Sequence, residues 1–238
     1  MALLKAEKIT CILEEKAVLN SVSFTLDEGE ILGIIGPNGA GKTMLLNVIS
    51  GFVRVSEGSI HFNRMEITHK PPYRLSRLGI KRTFQIPRPL KEQTVIENVL
   101  LAYVMAGRKL GKLNAVVEKV NSILEQVMLI DKRDILAADL TLSEQRRLEL
   151  ARTLAGNPRL LLLDEVGAGL SPAMITYIQD LLEKLNKSGV TIILVDHFLN
   201  LSVQLAHRVI ALDNGKIIAE GLPQKVLDSP RVREAYLG

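Results

Sequence analysis

The octapeptide Gly36-Pro37-Asn38-Gly39-Ala40-Gly41-Lys42-Thr43 combines three glycines, a lysine and a hydroxyl in the spacing G-x-x-x-x-G-K-[ST]. Glycines let a backbone curl so that successive N–H groups point inward at a phosphate, and a helix beginning there adds the positive end of its dipole. An apolar strand at 31–35 precedes the octapeptide and a helical run at 44–50 follows it, the context this chemistry needs. Lys42 is then expected to bridge the β and γ phosphates and Thr43 to offer its hydroxyl to Mg2+, with Met44 next in the same helical turn. At ordinary residue frequencies the pattern arises by chance in roughly one chain per hundred of this length, so an incidental glycine turn is the weaker reading.

A second group suits the same chemistry. Four leucines, Leu160 to Leu163, end in Asp164-Glu165, which puts two carboxylates at the carboxyl end of a buried strand, where α/β sheets bind ligands. Asp164 can hold Mg2+ through water, and Glu165 can orient and polarise the water that attacks a phosphoryl group. Alone, an apolar run capped by two acids is often just a strand end; beside the upstream loop it points to nucleoside triphosphate hydrolysis.

The elements that must position these groups follow from the hydrophobic pattern. Short apolar runs alternate with longer helical stretches, the signature of an α/β fold with a helix-covered parallel sheet. Near the N-terminus, 3–10, 18–26 and 59–62 read as strands of an antiparallel β subdomain around the first core strand, 30–35. From 94 to about 128 the pattern is helical, with a break between two helices at Gly107 to Gly111. Strand character resumes at 160–164, 191–195 and 209–212, and a helix over 172–187 opens with Pro172 in its first turn. The expected division is one domain over 1–238, with a core and β subdomain from 1–84 and 157–238 and a helical insertion at 85–156.

Composition limits the function classes. The 238 residues, 47% hydrophobic and 24% charged, suffice for a full core, and no apolar run approaches the ~20 residues of a membrane-spanning helix. The single Cys11 excludes an intramolecular disulfide, and the opening residues lack the apolar core of a signal peptide, so a cytoplasmic location is expected. The net charge of +4 is scattered among acids, which favours a mixed solvated surface over a nucleic-acid footprint.

With these motifs in place, the whole chain resembles the ABC transporter ATPases. The resemblance implies a P-loop (RecA-like) core, ATP and Mg2+ as ligands, transmembrane permease subunits as partners and a peripheral position at the cytoplasmic face of the membrane. Gln85, in Arg82-Thr83-Phe84-Gln85, matches the family's glutamine loop, which touches Mg2+ and hinges the helical subdomain. His197, after Asp196, matches the histidine that senses the γ phosphate and positions the water. The segments Asn47 to Phe52, Gly79 to Gln85, Thr94 to Val99 and Glu234 to Gly238 look like the ATPases of branched-chain amino acid importers, and ATPases for lipopolysaccharide export and amide uptake carry similar ones.

The chain departs from the family at several points. Where the signature facing the opposite subunit's ATP usually reads Leu-Ser-Gly-Gly-Gln, an ungapped register gives Leu140-Thr141-Leu142-Ser143-Glu144, and a shifted one starts at Leu142-Ser143 with two residues deleted. Leu142 is expected to obstruct backbone approach to phosphate and Glu144 to add negative charge near an anion. Val166 replaces a proline, Ser171 an aspartate, and Ile12 or Leu13, ahead of Val18-Leu19, takes the place of the aromatic that stacks on adenine. Ile12 and Val18 are the residues expected at the base. These changes predict an asymmetric heterodimer, with a second ATPase subunit supplying an intact signature. Competing readings are an ABC ATPase uncoupled from transport and a regulatory module that holds ATP without turnover.

Overall fold

The computed structural model describes residues 2–106, 112–195 and 203–237. In chain order these form β1 (Ala2–Leu13), β2 (Lys16–Asp27), β3 (Ile31–Ile35), α1 (Lys42–Ile49), β4 (Glu57–Phe62), β5 (Met65–Glu66), α2 (Pro72–Arg77) and β6 (Ile80–Arg82). They continue with α3 (Val95–Met105), α4 (Leu113–Gln126), α5 (Leu142–Ala155), β7 (Leu160–Asp164), α6 (Pro172–Lys187), β8 (Thr191–Val195), β9 (Arg208–Asp213) and β10 (Lys216–Gly221). Two short helices, α7 (Pro223–Leu227) and α8 (Pro230–Leu237), close the described chain.

The main sheet runs β10-β9-β3-β8-β7-β6, parallel except where β10 returns antiparallel on β9. Every residue of β3, β7 and β8 is buried, as strands covered on both faces must be. Their alternation divides the core in two. Ile31, Ile35, Leu161, Leu163, Ile192 and Leu194 face the helical side with α3 to α6, whereas Leu32, Ile34, Leu160, Leu162, Ile193 and Val195 face α1 and the second sheet. That second sheet, β2-β1-β4-β5, is antiparallel, and its longest hairpin turns through Glu14 and Glu15, both at positive φ, as a two-residue turn of right-twisting strands requires.

The expected α/β class and antiparallel layer are present, and the structure sharpens the boundaries. The strand expected at 3–10 extends to Leu13 because the register closes at Leu13 opposite Lys16. The helical stretch from 94 is split into α3 and α4; Thr94 caps α3 in a reciprocal box with Glu97, and the anticipated break at Gly107 to Gly111 lies outside the described residues. All regular elements between β6 and β7 among the described residues are helical. β6 and β10 went unpredicted, β6 because three residues show no periodicity, β10 because its residues are only half-buried. No helix among the described residues is long and apolar enough to cross a membrane.

Candidate nucleotide site

The octapeptide leaves the buried end of β3 and enters α1, with Gly41 in the left-handed region as the helix cap. Two glycines there are sterically obligatory. A Cβ on Gly36, at φ 149, would collide with the Leu212 carbonyl at the end of β9; one on Gly41, at φ 102, would lie 2.9 Å from both the Val18 carbonyl oxygen and Leu19 Cδ2. The loop is thus clasped between β9 and the start of β2. From the β9–β10 turn, Gly215 donates its N–H to the Ala40 carbonyl (3.0 Å), and its own carbonyl accepts from the Asn20 N–H (2.8 Å).

Lys42 is buried, and its Nζ donates to the Gly36 carbonyl (2.7 Å) and the Pro37 carbonyl (2.9 Å). Burial lowers its pKa from the ordinary lysine value, partly offset by the nearby Glu165 and Asp164 carboxylates. The ammonium is therefore held within the loop by acceptors that an incoming phosphate can replace.

Strand order brings the second motif alongside. β8 separates β3 from β7, so Asp164 emerges about two strand spacings, roughly 10 Å, from the root of the loop. Thr43, in the first turn of α1, spans the gap, its Oγ1 lying 3.4 Å from Asp164 Oδ1. The other carboxylate oxygen pairs with Arg82 Nη2 at 3.1 Å, in a side-chain environment 5% exposed for Arg82 and 0% for Asp164. Arg82 also donates to Asn47 Oδ1 on α1 (2.6 Å) and to Oγ of Ser50, which caps that helix (3.2 Å). Burial raises the Asp164 pKa, opposed by Arg82 and by the Thr43 hydroxyl.

Glu165 adopts φ 51, a left-handed conformation that an ordinary glutamate avoids, while its N–H donates to the Val195 carbonyl (3.0 Å). Such strain, held in place by the sheet, turns the side chain out at the strand end. There Glu165 Oε1 accepts from Gln85 Nε2 at 3.1 Å. Lys42, Thr43, Gln85, Asp164 and Glu165, scattered over more than 120 positions in sequence, thus share one end of the sheet. Asp196 and His197 lie outside the described residues. Val18 is half-buried against Gly41, and Ile12 and Leu13 are exposed on the same hairpin, leaving apolar surface beside the loop.

The segment expected to be a poor signature has a definite construction. Thr141 caps α5, its hydroxyl accepting from the Glu144 N–H while the Glu144 carboxylate accepts from the Thr141 N–H (2.9 Å). Thr141 is thus the cap residue and the helix begins at Leu142. Leu142 stands 57% exposed in the first turn of the helix. Glu144 requires a correction: its carboxylate is not an open charge awaiting an anion but pairs with Lys132 Nζ at 2.5 Å and faces Arg147 Nη2 at 3.8 Å. Although burial opposes ionisation, Lys132 and Thr141 hold its pKa below the usual glutamate value.

Sequence reasoning missed four residues that shape this end of the sheet: Arg82 beneath Asp164, Gly215 beneath the loop, Glu149 and Tyr236. Glu149, on α5, accepts the Phe84 N–H at 2.9 Å, next to Gln85, and burial pushes its pKa up to about 7 against the pull of that N–H and of Arg152, Arg146 and Arg82. A glutamate amid arginines is an ordinary surface pattern in sequence, so only three-dimensional packing reveals it.

A parallel sheet with a phosphate loop at one strand end and paired carboxylates two strands away defines a P-loop ATPase. Comparison with known proteins narrows this class. The family model described as ABC transporter matches residues 19–168, and one described as branched-chain amino acid ATP-binding cassette transporter matches 216–238. The probable branched-chain amino acid transport ATP-binding protein LivG of Archaeoglobus fulgidus is 37% identical over all of this chain and 96% of its own length. Among solved structures, an ATP-binding cassette of an ABC transporter in its ADP conformation aligns with TM-score 0.88 and 35% identity over 100% of this chain and 99% of the other. A dimeric bacterial ABC transporter cassette aligns with TM-score 0.86 and 26% identity over 92% and 98%. The chain belongs to the ABC transporter family, as an ATP-hydrolysing, ATP-binding subunit.

Proposed function

We propose that this subunit powers uptake of branched-chain amino acids through a separate membrane permease, working at the cytoplasmic face as one half of an ATPase heterodimer. The convergence of Lys42 and Thr43 with Asp164 and Glu165 carries the catalytic part of this reading. The loop from Gly36 to Thr43, continued by Met44, binds the phosphates through backbone N–H groups, and Lys42 moves from the Gly36 and Pro37 carbonyls onto the β and γ phosphates. Ile12 and Val18 offer apolar contact to the base. Glu165 orients and polarises the attacking water, held by Gln85 until substrate arrives, with His197 as the γ-phosphate partner.

The donor set fits Mg2+. Thr43 Oγ1 and Asp164 Oδ1 are hard oxygens already side by side, with the Gln85 amide on the adjoining Glu165, and no cluster of three or more acidic, histidine or cysteine side chains occurs among the described residues. Few protein oxygens, with phosphates and water completing the shell, is the arrangement this ion favours. When bound it would neutralise charge on the β and γ phosphates.

The permease reading has a structural counterpart. A groove of about 430 Å3 opens between the main sheet and the helices, lined among others by Phe52, Tyr73, Phe84, Met105, Glu149 and Arg152. Phe52, Tyr73 and Met105 are each more than half exposed there, and Phe84 is the residue before Gln85. A permease segment seated in this groove would press on the backbone that carries Gln85. The heterodimer rests on exposed Leu142, which replaces a glycine where a partner's phosphate must approach.

Mg2+-dependent ATP turnover is measured for the purified chain alone and with its partner ATPase, and leucine uptake is measured in vesicles holding the assembled transporter. Glu165→Gln should abolish turnover and uptake together, and the partner should stimulate turnover. Turnover that is cooperative for the chain alone and unchanged by the partner would dispose of the heterodimer. Uptake that persists in Glu165→Gln vesicles would remove this chain's site from the driving step.

A further inference from the structure

The phosphate loop is braced by the far end of the chain. The Gly36 N–H donates to the phenolic oxygen of Tyr236 on α8 at 2.8 Å, a contact between residues 200 positions apart. The carbonyl of the same Gly36 accepts from Lys42 Nζ at 2.7 Å. One glycine thus carries the C-terminal tyrosine on its N–H and the loop lysine on its carbonyl. Gly36, at φ 149, has no side chain of its own to restrain its backbone. Val232, 2% exposed in the helical-side core, fixes α8 so that the phenol reaches the loop.

We infer that Tyr236 is a positioning residue for ATP binding: by fixing the Gly36 N–H it preorganises the loop and sets where Lys42 is held before phosphate arrives. This rests on the reading of Lys42 and its loop as the phosphate site. The effect of Tyr236 is on the conformational freedom the loop must lose when nucleotide binds, which lowers affinity when the brace is removed. The C-terminal helix is accordingly part of the ATP site, although it lies outside the matched stretch 19–168.

The test is Tyr236→Phe in the full chain, which removes the acceptor and keeps the ring. The ATP dissociation constant is measured in a Glu165→Gln background and kcat in the unmodified one, with Lys42→Ala alongside. A lost neutral hydrogen bond predicts roughly a three- to tenfold weaker ATP affinity, with kcat at saturation changed less than about twofold. Exchange of the Gly36 amide proton, followed by NMR, should accelerate by a similar factor while amides of β3 and β7 keep their rates. Affinity within about twofold of the parent overturns the inference. So does a general acceleration of exchange across the core with a matching fall in melting temperature, which would mark Tyr236 as merely structural. If Lys42→Ala binds ATP as well as the parent, the phosphate-site reading falls instead, and the inference falls with it. Loss of binding in Lys42→Ala with none in Tyr236→Phe rejects the tyrosine alone.

Discussion

The loop at the end of β3 and the cap at the start of α5 are both helix N-termini, yet they are built on opposite principles. At α1 there is no side-chain cap; Gly41 takes the cap position, and backbone contacts with Val18, Leu212 and Gly215 hold the turn open. At α5 the glycines are gone and side chains satisfy the helix end, with Thr141 and Glu144 engaging each other's N–H groups and Lys132 matching the charge. A backbone-built terminus leaves its N–H groups for a ligand; a capped terminus has already used some of them. The first can serve an anion from its own chain, whereas the second presents Leu142 outward.

Substitutions can sharpen or break this contrast. The largest effect is expected at the loop end. Glu165→Gln should lower kcat by roughly 100-fold or more, the scale of a lost general base, while ATP binding is retained, as steady-state kinetics and equilibrium binding will report. Next comes Arg82→Met, which leaves Asp164 buried without its cation. Removing one partner of such a pair costs about 3–5 kcal/mol, so chemical denaturation should show a marked loss of stability. At the capped end Thr141→Ala should cost about 1 kcal/mol in the same assay, and Thr141→Ser should recover most of it. Equal losses from Thr141→Ala and Arg82→Met would erase the contrast.

The smallest effect concerns Glu149, which ties α5 to the backbone beside Gln85. Glu149 has a pKa of about 7 in the folded chain against an ordinary 4.5. Between those values the folded protein keeps a proton the unfolded chain has released, so this group's stabilisation is full below about pH 4.5 and is lost as pH rises through 7. Glu149→Gln, which keeps an acceptor for the Phe84 N–H, should flatten the stability profile across that window, measured by urea unfolding from pH 5 to 8.

How far the sequence disclosed these features follows from what each is made of. The phosphate loop was legible because its function is in backbone geometry, and glycine spacing records backbone geometry directly. The apolar runs of β7 and β8 were legible for the same kind of reason, since burial on both faces leaves little room for polar residues away from the strand ends. The helix at Pro172–Lys187 announced both its ends. Arg82, Glu149 and Tyr236 were opaque because charged and phenolic side chains are common on surfaces, and their partners lie 82, 65 and 200 residues away. Glu144 misled because sequence supplies a charge but not the neighbour that neutralises it.

The placement of β3 has a further consequence for synthesis of the chain. Its hydrogen-bonded neighbours are β8 and β9, so a ribosome-bound chain that has reached residue 160 holds the entire loop and neither strand that flanks it. The Leu212 carbonyl that confines Gly36 and the Gly215 N–H that holds Ala40 are translated later still. Such distant pairings fold late, because closing a long loop of chain must precede any gain from the contact. The contacts that brace the loop therefore form only after β8, β9 and the turn that carries Gly215 have been made.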